Sequence, residues 1–206
     1  MQKGYKISDK LIWFVKDSGG YVRMKDLKAA NFKTQTIKKS VADNELEKIK
    51  AGLYRLADIE DVPDMSIGFI DTVKAIPDGV IALISALHYY DMTTFNPSHV
   101  YVAVPHNKRA PKLIYPPLRV FYFRKRFYEP GIERIETPYG DVKIYGREKT
   151  ICDMFRYRKK LGEDIALEAL KSYVDYKHSD FFKLMQYAEI CQVKTVIQPY
   201  LKALVG

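Results

Sequence analysis

Apolar positions in the first part of the chain recur at helical spacing. Leu11, Ile12, Phe14 and Val15 follow Ser8, a residue suited to capping, and the run stops at Gly19-Gly20, where glycine opens the left-handed backbone that ends helices. A short β-prone piece, Tyr21-Val22-Arg23, leads into a second helix over residues 24–30, with Leu27 and Ala30 facing inward and a turn at Asn31-Phe32-Lys33. A third helix is expected from Thr34, as its N-cap, to about Asp43. Ile37 and Val41 lie one turn apart on one side of it. Gln35, Lys38, Lys39 and Ala42 fall at i, i+3, i+4 and i+7 on the other. Residues 46–49 and 53–56 then flank Lys50-Ala51-Gly52, a glycine-containing turn of the kind that closes a hairpin. Three helices followed by a two-stranded wing make a winged helix-turn-helix.

Residues 59–65 mix proline with acids and lose all apolar period, which reads as a linker between an N-terminal unit of residues 1–60 and a larger unit of residues 66–206. In the larger unit, Asp78-Gly79 opens a run over residues 80–87 that is apolar on nearly every side and reads as a buried helix ending near Tyr89-Tyr90. Strand patterning follows over residues 99–104, 118–123, 131–137 and 142–145, the last two bracketing the turn Pro138-Tyr139-Gly140-Asp141. Helical spacing returns over residues 147–160, 164–176, 180–193 and 195–204, with Leu167, Leu170 and Val174 as one stripe. The expected class is α+β: an N-terminal winged helix-turn-helix, then a larger α+β domain with a mainly antiparallel sheet of about four strands and a C-terminal helical bundle.

Composition narrows the function. The chain has 206 residues, 47% of them hydrophobic, enough to bury a real core, and 34 Lys plus Arg against 25 Asp plus Glu give a formal charge of +9. That balance favours a polyanionic partner. The charge is segregated: residues 1–60 carry thirteen basic and eight acidic side chains, residues 61–91 one basic and five acidic, and residues 92–128 seven basic and no acid. The longest nearly apolar run, residues 79–87, is about half of the ~20 residues that a spanning helix needs. The first six residues lack the apolar core of a signal peptide, so the expected location is cytoplasmic. Cys152 and Cys191 form no C-x-x-C and read as small core residues in a reducing compartment.

Two positive blocks are candidate binding surfaces. In the first, a helix held to its core by two aliphatic residues offers an amide and two ammonium groups outward, and a major groove accepts such a helix. Gln35 and Lys38 are the candidates for base edges. Lys33, Thr34, Lys39, Lys48 and Lys50 are the candidates for phosphate contacts, with Arg55 beside the wing turn. Glu45 and Glu47 oppose that reading near the wing, and the same pattern also fits a solvated face or a protein-docking module. In the second block, Lys108, Arg109, Lys112, Arg119, Arg124, Lys125 and Arg126 are interleaved with Tyr115, Phe121, Tyr122, Phe123, Phe127 and Tyr128. Three uses fit it: stacking of single-stranded nucleic acid, docking of a protein, and charged protection of a sheet edge.

Catalytic chemistry finds no pattern. A metal-dependent nuclease core would need a strand-borne carboxylate followed by Glu-x-Lys, but Asp141 is followed by Glu148-Lys149-Thr150, with the lysine misplaced. There is no glycine-rich phosphate loop, Gly-x-Ser-x-Gly or His-Glu-x-x-His. His88, His99, His106 and His178 are scattered and read as structural. The stretch Arg147-Glu148-Lys149-Thr150 to Asp153 reads as a helix start pinned to the sheet by ion pairs. No cofactor, metal or enzymatic activity is expected.

Four pieces, Gly52-Leu53-Tyr54-Arg55-Leu56, residues 79–89, residues 99–105 and residues 142–153, appear in an order and spacing that resemble the AbiEi family of antitoxins over nearly the whole chain. Arg156-Tyr157-Arg158-Lys159-Lys160 and a helical tail with Pro199-Tyr200-Leu201 extend the likeness. The resemblance implies a type IV toxin–antitoxin system linked to abortive infection by phage, in which the partner gene encodes a nucleotidyltransferase-like toxin. It implies further that the winged helix binds inverted repeats in the operon's own promoter and represses it; two copies on one repeat would exclude polymerase. The larger domain then supplies the antitoxin activity. A plain winged-helix regulator whose second domain senses a small ligand, without a toxin partner, and a nucleic-acid-processing enzyme with metal-dependent turnover through Asp141 or Glu148 stay open beside it.

Overall fold

A computed structural model describes residues 7–59 and 66–205. The first six residues, the side chain of Ser8 and most of the expected linker lie outside what it describes. The N-terminal unit runs α1 (Ile7–Asp17), β1 (Tyr21–Arg23), α2 (Met24–Ala29), α3 (Thr34–Ala42), β2 (Leu46–Lys50) and β3 (Leu53–Leu56). Gly19 and Gly20 both take positive φ, the conformation that stops α1 and turns the chain into β1. The three strands form an antiparallel sheet in the order β1-β3-β2. Leu11, Val15, Leu27, Ile37, Leu46 and Leu56 close one apolar cluster beneath the helices. Thr34 is the first residue inside α3, not its cap. Lys33 holds the cap position with extended backbone and makes no side-chain capping bond.

The larger body begins with α4 (Ile67–Ala75), capped by the Ser66 hydroxyl accepting from the Gly68 N–H. It continues through β4 (Val80–Ile81), α5 (Leu83–Tyr89), β5 (Val100–Pro105), β6 (Leu118–Phe123), α6 (Lys125–Tyr128), β7 (Ile132–Ile135) and β8 (Val142–Tyr145). Four helices close it: α7 (Arg147–Leu161), α8 (Glu163–Val174), α9 (Phe181–Ile190) and α10 (Lys194–Val205). The class is α+β. The sheet has five strands in the order β6-β5-β4-β8-β7. It is mixed rather than mainly antiparallel: β5–β6 and β4–β8 are parallel, β4–β5 and β7–β8 antiparallel.

The cause is β4. The run expected as one helix gives up Val80 and Ile81 to the centre of the sheet, and Leu83, at φ +52, turns the chain from strand into helix. A short apolar run has no period that separates a buried strand from a buried helix. The α8 stripe also shifts. Ile165, Ala166, Ala169, Leu170 and Tyr173 are its buried side, whereas Leu167 and Val174 are half-buried.

Strand alternation sorts the sheet into two faces. Tyr101, Ala103, Phe121, Phe123 and Tyr145 look toward α5 and α7–α10 and form the main core. Val102, Val104, Leu118 and Val120 look the other way, where they meet Ala75 and Ile76 and, from the N-terminal unit, Ile49 and Leu53. The β2–β3 hairpin therefore packs on the large sheet. Burying an Ile or Leu of this kind stabilises by about 1.5–3 kcal/mol each.

A polar seam runs alongside that contact. The Tyr21 hydroxyl donates to Asp71 Oδ1 at 2.7 Å, Arg55 Nε donates to Asp71 Oδ2 at 3.3 Å, Arg55 Nη2 donates to Glu47 Oε2 at 2.7 Å, and Arg55 Nη1 donates to the Leu56 carbonyl at 2.9 Å. Asp71 is fully buried. Burial pushes its carboxyl above the ordinary carboxylate value, against the pull of the Tyr21 and Arg55 hydrogen bonds.

Candidate nucleic-acid interface

Helix α3 is fixed by its inward side and open on its outward one. Ile37 and Ser40 are buried and Val41 is half-buried in the N-terminal cluster. Asn31, at φ +62, makes the turn that separates α2 from α3, a left-handed position that asparagine tolerates well. On the outward side Lys33, Thr34, Gln35, Lys38, Lys39 and Ala42 are all exposed. Among the described residues, none of Lys33, Lys38 and Lys39 has a carboxylate within 4 Å. Their charges are free to face a polyanion.

The hairpin divides its cations differently from the expectation. Lys48 is exposed. Arg55 was expected beside the wing turn as a phosphate contact, but it sits on the central strand β3, where every residue is buried, and its guanidinium is consumed by Asp71, Glu47 and a carbonyl. Lys50 follows a register shift in β2 and donates to the Ala75 carbonyl at 2.6 Å, its pKa lowered first by burial. Both therefore tie the hairpin to the larger body. Glu47, which stood against phosphate in the sequence, is neutralised by Arg55. The carboxylate that completes this seam, Asp71, went unnoticed, although a lone acid within Gly68-Phe69-Ile70-Asp71-Thr72-Val73 is a sign of a buried polar partner.

The second basic block does not form one patch. Lys108 lies 3.7 Å from Asp78, Lys125 lies 3.7 Å from Glu129, Arg126 donates to Gln192 at 2.6 Å, and Arg119 stacks over Tyr101. Arg109, Lys112 and Arg124 are exposed without such partners among the described residues. Phe121, Phe123 and Phe127 are core, Tyr128 donates to the Asp78 carbonyl, and only Tyr115 and Tyr122 stand well out of the surface. Phe121 and Phe123 pack instead on the rings of Tyr101, Tyr145 and Tyr157.

The Arg147–Asp153 stretch begins α7 as expected, but its ion pairs run within the helix and to α9 rather than to the sheet. Lys149 donates to Asp153, both fully buried, and Cys191 Sγ approaches the second carboxylate oxygen at 3.6 Å. Cys152 is likewise buried, as expected, and burial raises its thiol pKa. Glu148 accepts from the Tyr173 hydroxyl at 2.8 Å and pairs with Lys183 at 2.9 Å, while Asp141 pairs on the surface with Arg134, so no two of these carboxylates share a site. Among the described residues no group of three or more His, Cys, Asp or Glu could hold a metal. His88, His106 and His178 are exposed rather than structural, and His99 is half-buried beside the Ser98 hydroxyl.

Arg147 is held between the Tyr90 and Tyr176 rings at 4.3 and 4.7 Å, on the wall of a cavity of about 610 Å³ that Glu168 and Lys171 also line. Glu168 accepts from the Thr94 backbone N–H and from the Thr93 and Thr94 hydroxyls, and these bonds, the backbone one first, hold its pKa below the ordinary 4.5. A depressed carboxylate contributes stability above its unfolded value and loses it as pH falls through the folded one. Glu168→Gln is thus expected to lower the melting temperature at neutral pH, with a gap from the wild type that closes as pH is taken below 4.5. A gap that stayed constant with pH would contradict this assignment.

No helix among the described residues is long and apolar enough to cross a membrane. Neither a family model nor a curated protein matches the chain. Among solved structures, the crystal structure of RV2827C protein from Mycobacterium tuberculosis is similar, with a TM-score of 0.58 over 95% of this chain and 80% of that one, at 10% sequence identity. Likeness at that identity extends to the α+β fold and no further.

Proposed function

We propose that the N-terminal unit is a winged helix-turn-helix that binds duplex DNA through α3, and that the whole chain is an antitoxin and autorepressor of the AbiEi kind. The observation that carries the DNA reading is the outward stripe of α3: Gln35, Lys38 and Lys39 project, uncompensated by acids, from a helix that Ile37 and Val41 hold to its core. A helix so placed enters a major groove with an amide for an adenine edge and a lysine for guanine, while flanking cations grip phosphates. The net charge of +9 adds a sequence-independent attraction that weakens steeply with salt. Two copies on an inverted repeat would occlude a promoter. The antitoxin half of the reading is supported by the sequence resemblance, which also supplies the nucleotidyltransferase-like toxin as partner.

Lys38→Ala with Lys39→Ala is expected to weaken binding to the DNA upstream of the protein's own gene by about 10- to 100-fold, the equivalent of roughly 1–3 kcal/mol for a lost specific contact, with the melting temperature unchanged. Both side chains are exposed, so fold and binding separate cleanly. In cells the same full-length variant should derepress its promoter yet still protect against the adjacent toxin. An unaltered gel shift by the folded variant would refute the α3 interface. Loss of protection together with repression would refute the division of labour.

A further inference from the structure

The loop of residues 106–117, between β5 and β6, runs along the outer edge of the N-terminal hairpin. The Ile114 N–H donates to the Ile49 carbonyl at 3.1 Å, and Ala110 and Leu113 pack in the same cluster as Ile49 and Leu53. Since β2 is an edge strand, this bond continues the small sheet with chain that belongs to the larger body. Two residues before Ile114 stands Lys112, and three before that Arg109, both exposed and free of acidic partners among the described residues. On the other side of the bond, Lys48 is exposed next to Ile49. Lys48 and Lys112 thus lie one and two residues from the two ends of the Ile114–Ile49 hydrogen bond, which brings their segments side by side.

We propose that the 106–117 loop is a phosphate-gripping element fused to the wing, in which Arg109 and Lys112 bind the backbone of duplex DNA alongside the segment that α3 reads. The inference rests on the DNA-binding reading above and deepens it. It also accounts for the absence of any acid between residues 92 and 128, a stretch in which one carboxylate beside the hairpin would repel the duplex. Lys108, drawn to Asp78, and Arg55 and Lys50, spent on the seam, leave the grip to Lys48, Arg109 and Lys112. Such contacts set position and add affinity without reading sequence.

The test compares full-length wild type, Arg109→Gln/Lys112→Gln, and Lys38→Ala/Lys39→Ala on the upstream duplex and on a scrambled duplex of equal length, over a range of salt. Each phosphate contact contributes about 0.9 to the slope of log K against log salt. The loop variant should lose close to 2 from that slope, weaken both duplexes by the same factor, shorten the hydroxyl-radical footprint at one flank and keep its melting temperature. The α3 variant should instead narrow the preference for the upstream duplex. An unchanged slope and footprint for the loop variant, while the α3 variant loses preference, would overturn the loop and leave α3 standing; that outcome would turn the loop's charge toward an acidic protein. A wild type that binds neither duplex would overturn both.

Discussion

Asp153→Ala is expected to cost about 3–5 kcal/mol of stability, because it strands a charge where nothing else can receive it. Lys149 is fully buried in the first turns of α7, and Asp153 one turn on is its ion-pair partner. The tyrosine and phenylalanine rings around the ammonium, Tyr145 at 4.2 Å and Phe123 at 5.2 Å, soften its desolvation but carry no formal charge. The side chain also has no exit. Gly131, at φ +79, passes so close that a Cβ there would come within 2.7 Å of Lys149 Cβ. Removing Lys149 instead leaves Asp153 with the weak Cys191 donor and the more distant field of Arg156. The pair Lys149→Met with Asp153→Leu is expected to recover most of the loss, as apolar replacements of buried ion pairs commonly do. Chemical denaturation of Lys149→Met, Asp153→Leu and the double closes the cycle. A double variant as unstable as the sum of its singles would show that the two residues are not coupled.

That pair shows what a local pattern of charges along a helix encodes. The helix start at residues 147–153 followed from a local pattern, whereas the expected ion pairs to the sheet formed instead within α7 and to α9. Helices α1, α2 and α3 and the β2–β3 hairpin were legible for the same reason: their spacing, glycines and turn residues act within a few positions. What was illegible depends on distant partners. Val80 and Ile81 became strand because β5 and β8 flank them, which no period in residues 80–87 encodes. Arg55 looked like a wing cation because its neighbours in sequence are those of a hairpin. Its actual partner, Asp71, is sixteen residues on and across the expected linker. Of the α3 candidates all are exposed, whereas of the wing candidates only Lys48 is fully so. The seven cations of residues 108–126 looked contiguous along the chain, but strand alternation and the loop divided them between opposite sides of the sheet.

Asp71→Ala should be the most damaging change at the seam, at about 3 kcal/mol, the low end for a broken buried pair because Arg55 keeps Glu47 and the Leu56 carbonyl. Its effect is also expected to differ in kind from that of Asp153. Asp71 belongs to α4 of the larger body, whereas Tyr21, Glu47 and Arg55 all belong to the small sheet, so the lost bonds are those that join the two units. Ile49 and Leu53 still pack on Val102 and Val104, which keeps the units in contact but less firmly. Wild type should then melt in one calorimetric transition and Asp71→Ala in two, the first belonging to the N-terminal unit. Tyr21→Phe removes one hydrogen bond from the same carboxylate and should cost about 1–3 kcal/mol, with a smaller separation of the transitions. On the proposed reading in which the 106–117 loop and the hairpin grip DNA together, Asp71→Ala should also lower the salt slope of DNA binding by loosening the seam beside them. A single transition with an unchanged slope would mean that the apolar contact, with the Lys50–Ala75 and Ile114–Ile49 hydrogen bonds, locks the two units without the seam.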